Sequence, residues 1–320
     1  MPRAVLLTLA LLMSAGSLAQ SYPARSIRII VPYAPGGSTD LLGRTVAAKL
    51  NEAWGQTVIV DNRPGASAII GTEATVKSAP DGYTFMVAAP QPIVLNKILF
   101  ANLKFDPEND LVPISINLLV PNYIVVHPSV PVRTLKDLIA FVKANRGKVS
   151  YASSGSTSTG HLTGLLLNRM AGIDMEHIGY KGSAPATSET LGGHVPILID
   201  QPVPSIEHVR AGRLRAIAVG TAQRVEAMPN VPTVRESGLP EFESSTWFGF
   251  VAPKGTPVEI IAKLHGEFAR IMSLPDVRDK FLPQGYIPVS MNTEEARKRI
   301  ASDREKWGRV IAETGLKATQ

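Results

Sequence analysis

Short apolar runs alternate with segments of helical periodicity along most of this chain, and that alternation constrains the fold more than any other feature. Apolar runs at 27–31, 57–60 and 83–88 read as strands. Between them lie helical patterns at 41–54 and 66–78. In the first pattern Leu42, Val46, Leu50 and Trp54 recur at helical spacing, and Gly55 closes the helix. Asn62-Arg63-Pro64-Gly65 and Pro80-Asp81-Gly82 are turn signals. The strand-like run 118–127 is interrupted by Pro121-Asn122, and a second series follows it. Leu135, Leu138, Ile139 and Val142 give a helix whose start is marked by a capping box from Thr134 to Asp137. Strands at 149–153, 175–178, 195–200 and 214–219 then alternate with helices at 161–171 and 184–191. A last strand at 247–252 precedes helices at 258–273 and 293–314, the latter opened by Asn292 with Glu295. Such alternation predicts an α/β fold with mainly parallel sheets flanked by helices.

The mostly helical tail cannot build a sheet domain alone, so it is expected to return to the first block. That predicts two lobes, residues 20–119 plus 247–320 and residues 120–246. Two crossing segments near 119–123 and 245–248 join them. Ligands of open α/β sheets sit at the carboxyl ends of strands, which places a ligand cleft between the lobes.

The first residues carry an export signal: Arg3, an apolar stretch at 4–13 too short to span a bilayer, then Ser17-Leu18-Ala19. Residues 1–19 are therefore expected to be a signal peptide cleaved after Ala19, which predicts a periplasmic protein. No later segment reads as a membrane span. With no cysteine in the chain, disulfides, a thiol nucleophile and cysteine metal sites are excluded. The net charge of +6 is scattered and aromatics are 6% of residues, so no nucleic-acid partner is expected.

Chemistry concentrates at strand ends. Pro32-Tyr33-Ala34-Pro35-Gly36-Gly37-Ser38-Thr39-Asp40 links a strand to a helix, leaving first-turn N–H groups unpaired in a positive dipole field that suits a carboxylate. Ser153-Ser154-Gly155-Ser156-Thr157-Ser158-Thr159-Gly160 repeats the arrangement, and hydroxyls of Ser154, Ser156 and Thr157 add donors. Asp40 either caps its helix and braces the loop or meets the ligand. His161 either orients its turn or touches the ligand. Asp200, ending a strand, either receives an amino or hydroxyl group or caps the next helix. Lys181, before Gly182, either attracts a carboxylate or is an ordinary loop lysine. Catalytic patterns fail: G-x-S-x-G breaks at Thr157, no G-x-x-x-x-G-K-[ST] or G-x-G-x-x-G occurs, and the six histidines form no H-E-x-x-H pair. No metal, cofactor or enzymatic activity is expected.

Several motifs in order make the chain resemble the periplasmic solute-binding proteins of tripartite tricarboxylate transporters, the Bug family. They are Tyr22-Pro23, the turn from Pro32 to Asp40, Asp61-Asn62-Arg63-Pro64-Gly65-Ala66 and Pro80-Asp81-Gly82-Tyr83. Ser153-Ser154-Gly155-Ser156, His161-Leu162, Tyr180-Lys181-Gly182, Pro185-Ala186, Leu191-Gly192-Gly193 and Ala252-Pro253-Lys254-Gly255-Thr256-Pro257 continue the series. The resemblance covers essentially the whole mature chain. It implies a two-lobed type II periplasmic-binding fold that closes by hinge motion. It also implies that Tyr33, Gly36, Gly37, Ser38, Thr39 and Asp40, with Ser154, Gly155, Ser156 and Thr157, hold a carboxylate through amides, hydroxyls and waters. Ala89, Gln91, His161, Lys181, Gly182 and Asp200 complete the expected site. The implied ligand is a di- or tricarboxylate, an aromatic carboxylate or an acidic amino acid, and the implied partners are one large and one small integral membrane subunit. A monomer is expected. A sensor that docks on a membrane signalling protein is the alternative, and a secreted hydrolase using Ser154 or Ser156 a remote one. The chain departs from the family pattern at Ala89-Pro90-Gln91-Pro92, where relatives commonly carry a hydroxyl, and at Gln201-Pro202 after Asp200, where they often carry asparagine.

Overall fold

In the computed structural model, residues 22–316 are described apart from Ala101 and Pro204. The expected signal peptide lies outside the described residues. The chain forms two sheets flanked by helices. The first contains β1 (Ile27–Val31), β2 (Val58–Asn62), β3 (Thr84–Ala88), β4 (Leu111–Pro121), β10 (Ser245–Pro253) and β11 (Ile287–Met291). Their order is β11-β4-β10-β3-β1-β2. The second contains β5 (Tyr123–Val126), β6 (Ser150–Ser153), β7 (Glu176–Gly179), β8 (Ile197–Asp200) and β9 (Arg215–Val219), in the order β7-β6-β8-β5-β9.

The sheets are mixed, which corrects the expectation of mainly parallel ones. Strands joined through a helix pair in parallel: β1 with β2 and β3, and β6 with β7 and β8. The strands that carry the chain between sheets run the other way. β10 is antiparallel to β3 and β4, and β5 is antiparallel to β8 and β9. The single apolar run at 118–127 is divided between sheets, with Pro121 the last residue of β4 and Tyr123 the first of β5. Ser245 of β10 pairs with Pro121, and just beyond it Gly220 N–H donates to the Asn122 carbonyl at 2.9 Å. The two crossings thus run side by side. β11 is a strand the sequence does not announce; it contains Pro288 and occupies the sheet edge, where a missing N–H is tolerated.

Helix α1 (Ser38–Trp54) buries Leu42, Val46 and Leu50, the periodic positions, in one cluster with Phe85 and Phe250 of the first sheet. Leu264 and Phe268 of α6 (Val258–Ser273) share that cluster. Fully burying each such side chain contributes about 1.5–3 kcal/mol. Three further helices matter for the second sheet: α3 (Leu135–Ala144), α4 (Thr159–Ala171) and α5 (Ser183–Leu191). Both expected capping boxes are present, Thr134 with Asp137 on α3 and Asn292 with Glu295 on the last helix, α7 (Thr293–Thr314). α7 packs on both β4 and α4, so one apolar cluster runs from Trp247 and Val251 through Trp307 to Leu162 and Leu166. Its buried Asp303 accepts the Trp247 indole N–H at 2.9 Å, and Arg299 donates to the Ser245 carbonyl at 3.2 Å.

Candidate functional site

Three helices begin at one cavity of about 450 Å³. Their N-cap residues Gly37, Ser158 and Gly182, and their first residues Ser38, Thr159 and Ser183, all line it. Each helix follows a strand end, so each leaves first-turn N–H groups without intrahelical partners. The three dipoles place positive potential in the same space, each worth about 0.3–1 kcal/mol to an anion and up to about 2 kcal/mol where partly buried.

The first turn is braced from behind by Asp40. Its carboxylate accepts from Gly36 N–H at 2.9 Å, Arg44 Nε at 2.8 Å and Asn62 Nδ2 at 2.9 Å. Gly36 holds φ +87°, a left-handed conformation that favours glycine. Burial works to raise the Asp40 pKa, but the hydrogen bonds from Arg44, Gly36 and Asn62 outweigh it and hold the group below the ordinary carboxylate value. Ser38 shares a hydrogen bond of 2.6 Å with the Tyr286 hydroxyl.

The second turn is held by Ser158, whose hydroxyl caps α4 by accepting from His161 N–H at 3.1 Å. His161 Nδ1 donates to the Ser156 carbonyl at 2.6 Å, which fixes the proton on Nδ1. The ring stacks on His177 at 3.6 Å between centroids, and His177 Nε2 meets the Ser153 hydroxyl at 2.7 Å. Burial lowers the pKa of both rings, His177 to about 3 with help from His161, so both are neutral packing elements at neutral pH. Gly160 lets α4 approach β8 closely: a Cβ there would lie 2.2 Å from the Ile199 carbonyl oxygen.

Behind the second turn and the Gly182–Ser183 start of α5 lies Asp200, 2% exposed. It accepts from the Ser154 hydroxyl at 3.1 Å and from Gln201 N–H at 2.8 Å. Burial pushes its carboxyl up to about 6, against the lowering effect of hydrogen bonds from Gln201, Ser183 and Ser154. Across the cavity, Gln91 Nε2 donates to Thr157 Oγ1 at 3.2 Å, linking a π-helical turn after β3 to the second turn.

Of the residues expected to form the site, Tyr33, Gly37, Ser38, Thr39, Ala89 and Gln91 line the cavity. So do Ser154, Gly155, Thr157 and Gly182. Gly36, Asp40, Ser156, His161 and Asp200 lie behind the lining, as parts of the turns or their supports. Lys181 is exposed and does not line the cavity. Pro90, Ser158, Thr159, Ser183 and Gln201, neighbours of expected residues, also line it, and sequence reasoning gave no sign of Leu95, Thr246 and Phe248. Leu95 comes from the π-helical turn, and Thr246 and Phe248 from the crossing strand β10. Strand alternation marks the last two as buried but not as facing a cavity.

Residues 42–316 match the tripartite tricarboxylate transporter family receptor. Protein BugT of Bordetella pertussis is 40% identical over 300 residues, covering 93% of this chain and 92% of BugT. The solved structure of Rpa4515 from R. palustris with adipate has a TM-score of 0.81 at 32% identity, covering 92% of this chain and 99% of that one. MatC (Rpa3494) from Rhodopseudomonas palustris with bound malate has a TM-score of 0.76 at 28% identity, covering 91% and 100%.

Proposed function

This chain belongs to the tripartite tricarboxylate transporter receptor family, a family of periplasmic solute-binding proteins, and from that premise we propose that it captures a small organic carboxylate in the cavity between its two sheets and delivers it to the integral membrane subunits of such a transporter. The observation that carries this reading is the convergence of three helix N-termini on one cavity. Carboxylates bound to Rpa4515 and MatC support it. In this reading the two turns at 33–40 and 154–157 grip the anion from two lobes, 20–119 with 247–320 and 120–246. The lobes close about the paired crossings at Asn122 and Ser244, where the chain passes between sheets. The protein works as a monomer, exported through residues 1–19.

Capture rather than catalysis fits the groups around the turns. Ser153 has His177 within 2.7 Å, but it is fully buried and absent from the cavity wall. Ser154 donates its proton to Asp200, and His161 is committed to the Ser156 carbonyl. No histidine lines the cavity among the described residues, so the Ser–His pairing that activates a serine nucleophile is not assembled on its wall.

Isothermal calorimetry and thermal shift against mono-, di- and tricarboxylates, aromatic carboxylates and acidic amino acids test the reading. At one hundred times Kd a ligand of the folded state adds about 2.7 kcal/mol of stability. At least one carboxylate is expected to bind with 1:1 stoichiometry. Absence of binding by every class at millimolar concentration refutes capture of a carboxylate.

A further inference from the structure

We propose a second ligand site, set between α7 and the first sheet and separate from the cavity between the sheets, that takes an amphipathic monoanion: a medium-length alkyl chain ended by one carboxylate. This site is independent of carboxylate capture in the larger cavity. It is a cavity of about 330 Å³, where α7 meets the opening of β4 and the end of β10. Small-molecule sites run from about 300 to 1,000 Å³. The two cavities share no lining residue among those described. The π-helical turn stands between them, with Gln91 and Leu95 on the first wall and Ile93 on the second.

The cavity originates in an irregularity of the sheet. β11 pairs with β4 at Ile116, Leu118 and Leu119, so the opening residues of β4 lie beyond that pairing. On the other side of β4 the register with β10 shifts between Phe250 and Val251, and Val251 pairs with Pro113. Proline has no N–H to give a ladder and is accommodated at bulges, which bend a strand and re-aim its side chains. Leu111, Pro113 and Val251 all line the cavity. α7 closes it with Arg297, Ile300, Ala301 and Arg304, whose spacings of three, four and seven place them on one face of the helix.

Apolar lining and unmatched positive charge meet here. Ile93, Leu111, Val251 and Ile300 are buried side chains of the wall. The charged lining residues are Arg297, Arg304 and Glu108, two cations against one carboxylate. Glu108 is itself shared: it accepts from Arg304 Nη1 at 2.8 Å and from Lys97 Nζ at 3.3 Å. Arg304 Nε has no hydrogen-bond partner among the described residues. Arg297 makes no ion pair among them, whereas the adjacent Lys298 and Arg299 are paired with Glu294 and Asp303. A guanidinium presents its N–H donors in a fork that matches a carboxylate. An alkyl chain removes the apolar lining from water. A short carboxylate leaves that lining wet, and a neutral chain leaves the charge unmatched, so the site calls for both parts in one molecule.

Calorimetry on the full chain lacking its first 19 residues tests the site with octanoate, octanamide and propionate. Octanoate is expected to bind at least about tenfold tighter than either of the others. Two variants locate that binding. Arg297 and Ala301 are exposed on α7, so substitution there leaves the core packed. Ala301→Phe fills the cavity and is expected to weaken octanoate at least about tenfold. Arg297→Gln is expected to weaken octanoate about three- to fivefold, the scale of an exposed ion pair, and to leave octanamide unchanged. Unchanged octanoate affinity in either variant, with native-like thermal unfolding, overturns the proposal; octanoate held between the sheets would give that result in both. Absence of octanoate binding at millimolar concentration, or octanamide binding as tightly as octanoate, also overturns it. Dicarboxylate titrations read carboxylate capture separately, and both variants are expected to leave them unchanged.

Discussion

Asp200→Asn isolates the energetic role of the carboxyl behind the second turn. In the folded protein its pKa rises from 3.8 to about 6, chiefly through burial. At about 1.4 kcal/mol per pH unit that shift is worth roughly 3 kcal/mol. The sign follows from linkage. A group that binds its proton more tightly when folded adds stability that is fully present below the unfolded pKa and is lost as pH rises through the folded one. The loss therefore accumulates from about pH 4 and is complete once pH passes about 6. The histidines act oppositely in an overlapping window. His161 and His177 have lowered pKa values, so their contribution is present above the ordinary histidine range and is lost as pH falls. A pH profile of the wild type alone mixes the two trends. The difference between wild type and Asp200→Asn removes the histidine part, because both proteins share it. Urea unfolding at intervals from pH 4 to pH 8 is the assay. The wild type is expected to lose roughly 3 kcal/mol relative to the variant between pH 4 and pH 7, with no further divergence above. A flat difference curve refutes the view that Asp200 is a strained, desolvated carboxylate.

Gly160→Ala is expected to destabilise the fold by about 1–3 kcal/mol, because the added Cβ lies 2.2 Å from a backbone oxygen of β8 and α4 must withdraw. Carboxylate affinity should fall with it, and unchanged urea unfolding contradicts the close approach. Asp40→Ala removes the acceptor shared by Gly36, Arg44 and Asn62, with an expected loss of about 1–3 kcal/mol and weaker carboxylate binding by calorimetry. Tighter binding in that variant would show that Asp40 acts as a repelling charge and not as the brace of the turn.

The parts of this molecule readable from sequence are those set by local rules. The turn from Gly36 to Asp40 and the turn from Ser154 to Thr159 announce themselves because a strand, a run of small residues and a helix start are adjacent in the chain. The capping boxes at Thr134 and Asn292 are equally local. The two-sheet α/β architecture follows from alternation. What alternation does not carry is the direction of the crossing strands: β5 and β10 enter from the opposite sheet, and nothing within 123–126 or 245–253 records the direction of their neighbours. β11 is hidden by Pro288, which speaks against a strand unless the edge position is known.

The same division runs through the site and accounts for its chemistry. Positive potential for an anion comes from unpaired N–H groups at helix starts, which is a property of a few consecutive residues. That property is legible in the amino-acid order alone at Gly37, Ser158 and Gly182. The side chains that face those helix starts arrive from distant points of the chain. Leu95 and Phe248 lie far apart in sequence, yet both belong to the wall. Asp200 shows why residue type alone misleads. A carboxylate at a strand end suggests an acceptor for a ligand, but Asp200 is buried behind Ser154 and Gln201 and hydrogen-bonded to both. The helix starts are thus written in consecutive residues, whereas the wall that faces them is assembled from β3, the π-helical turn and β10 and is not.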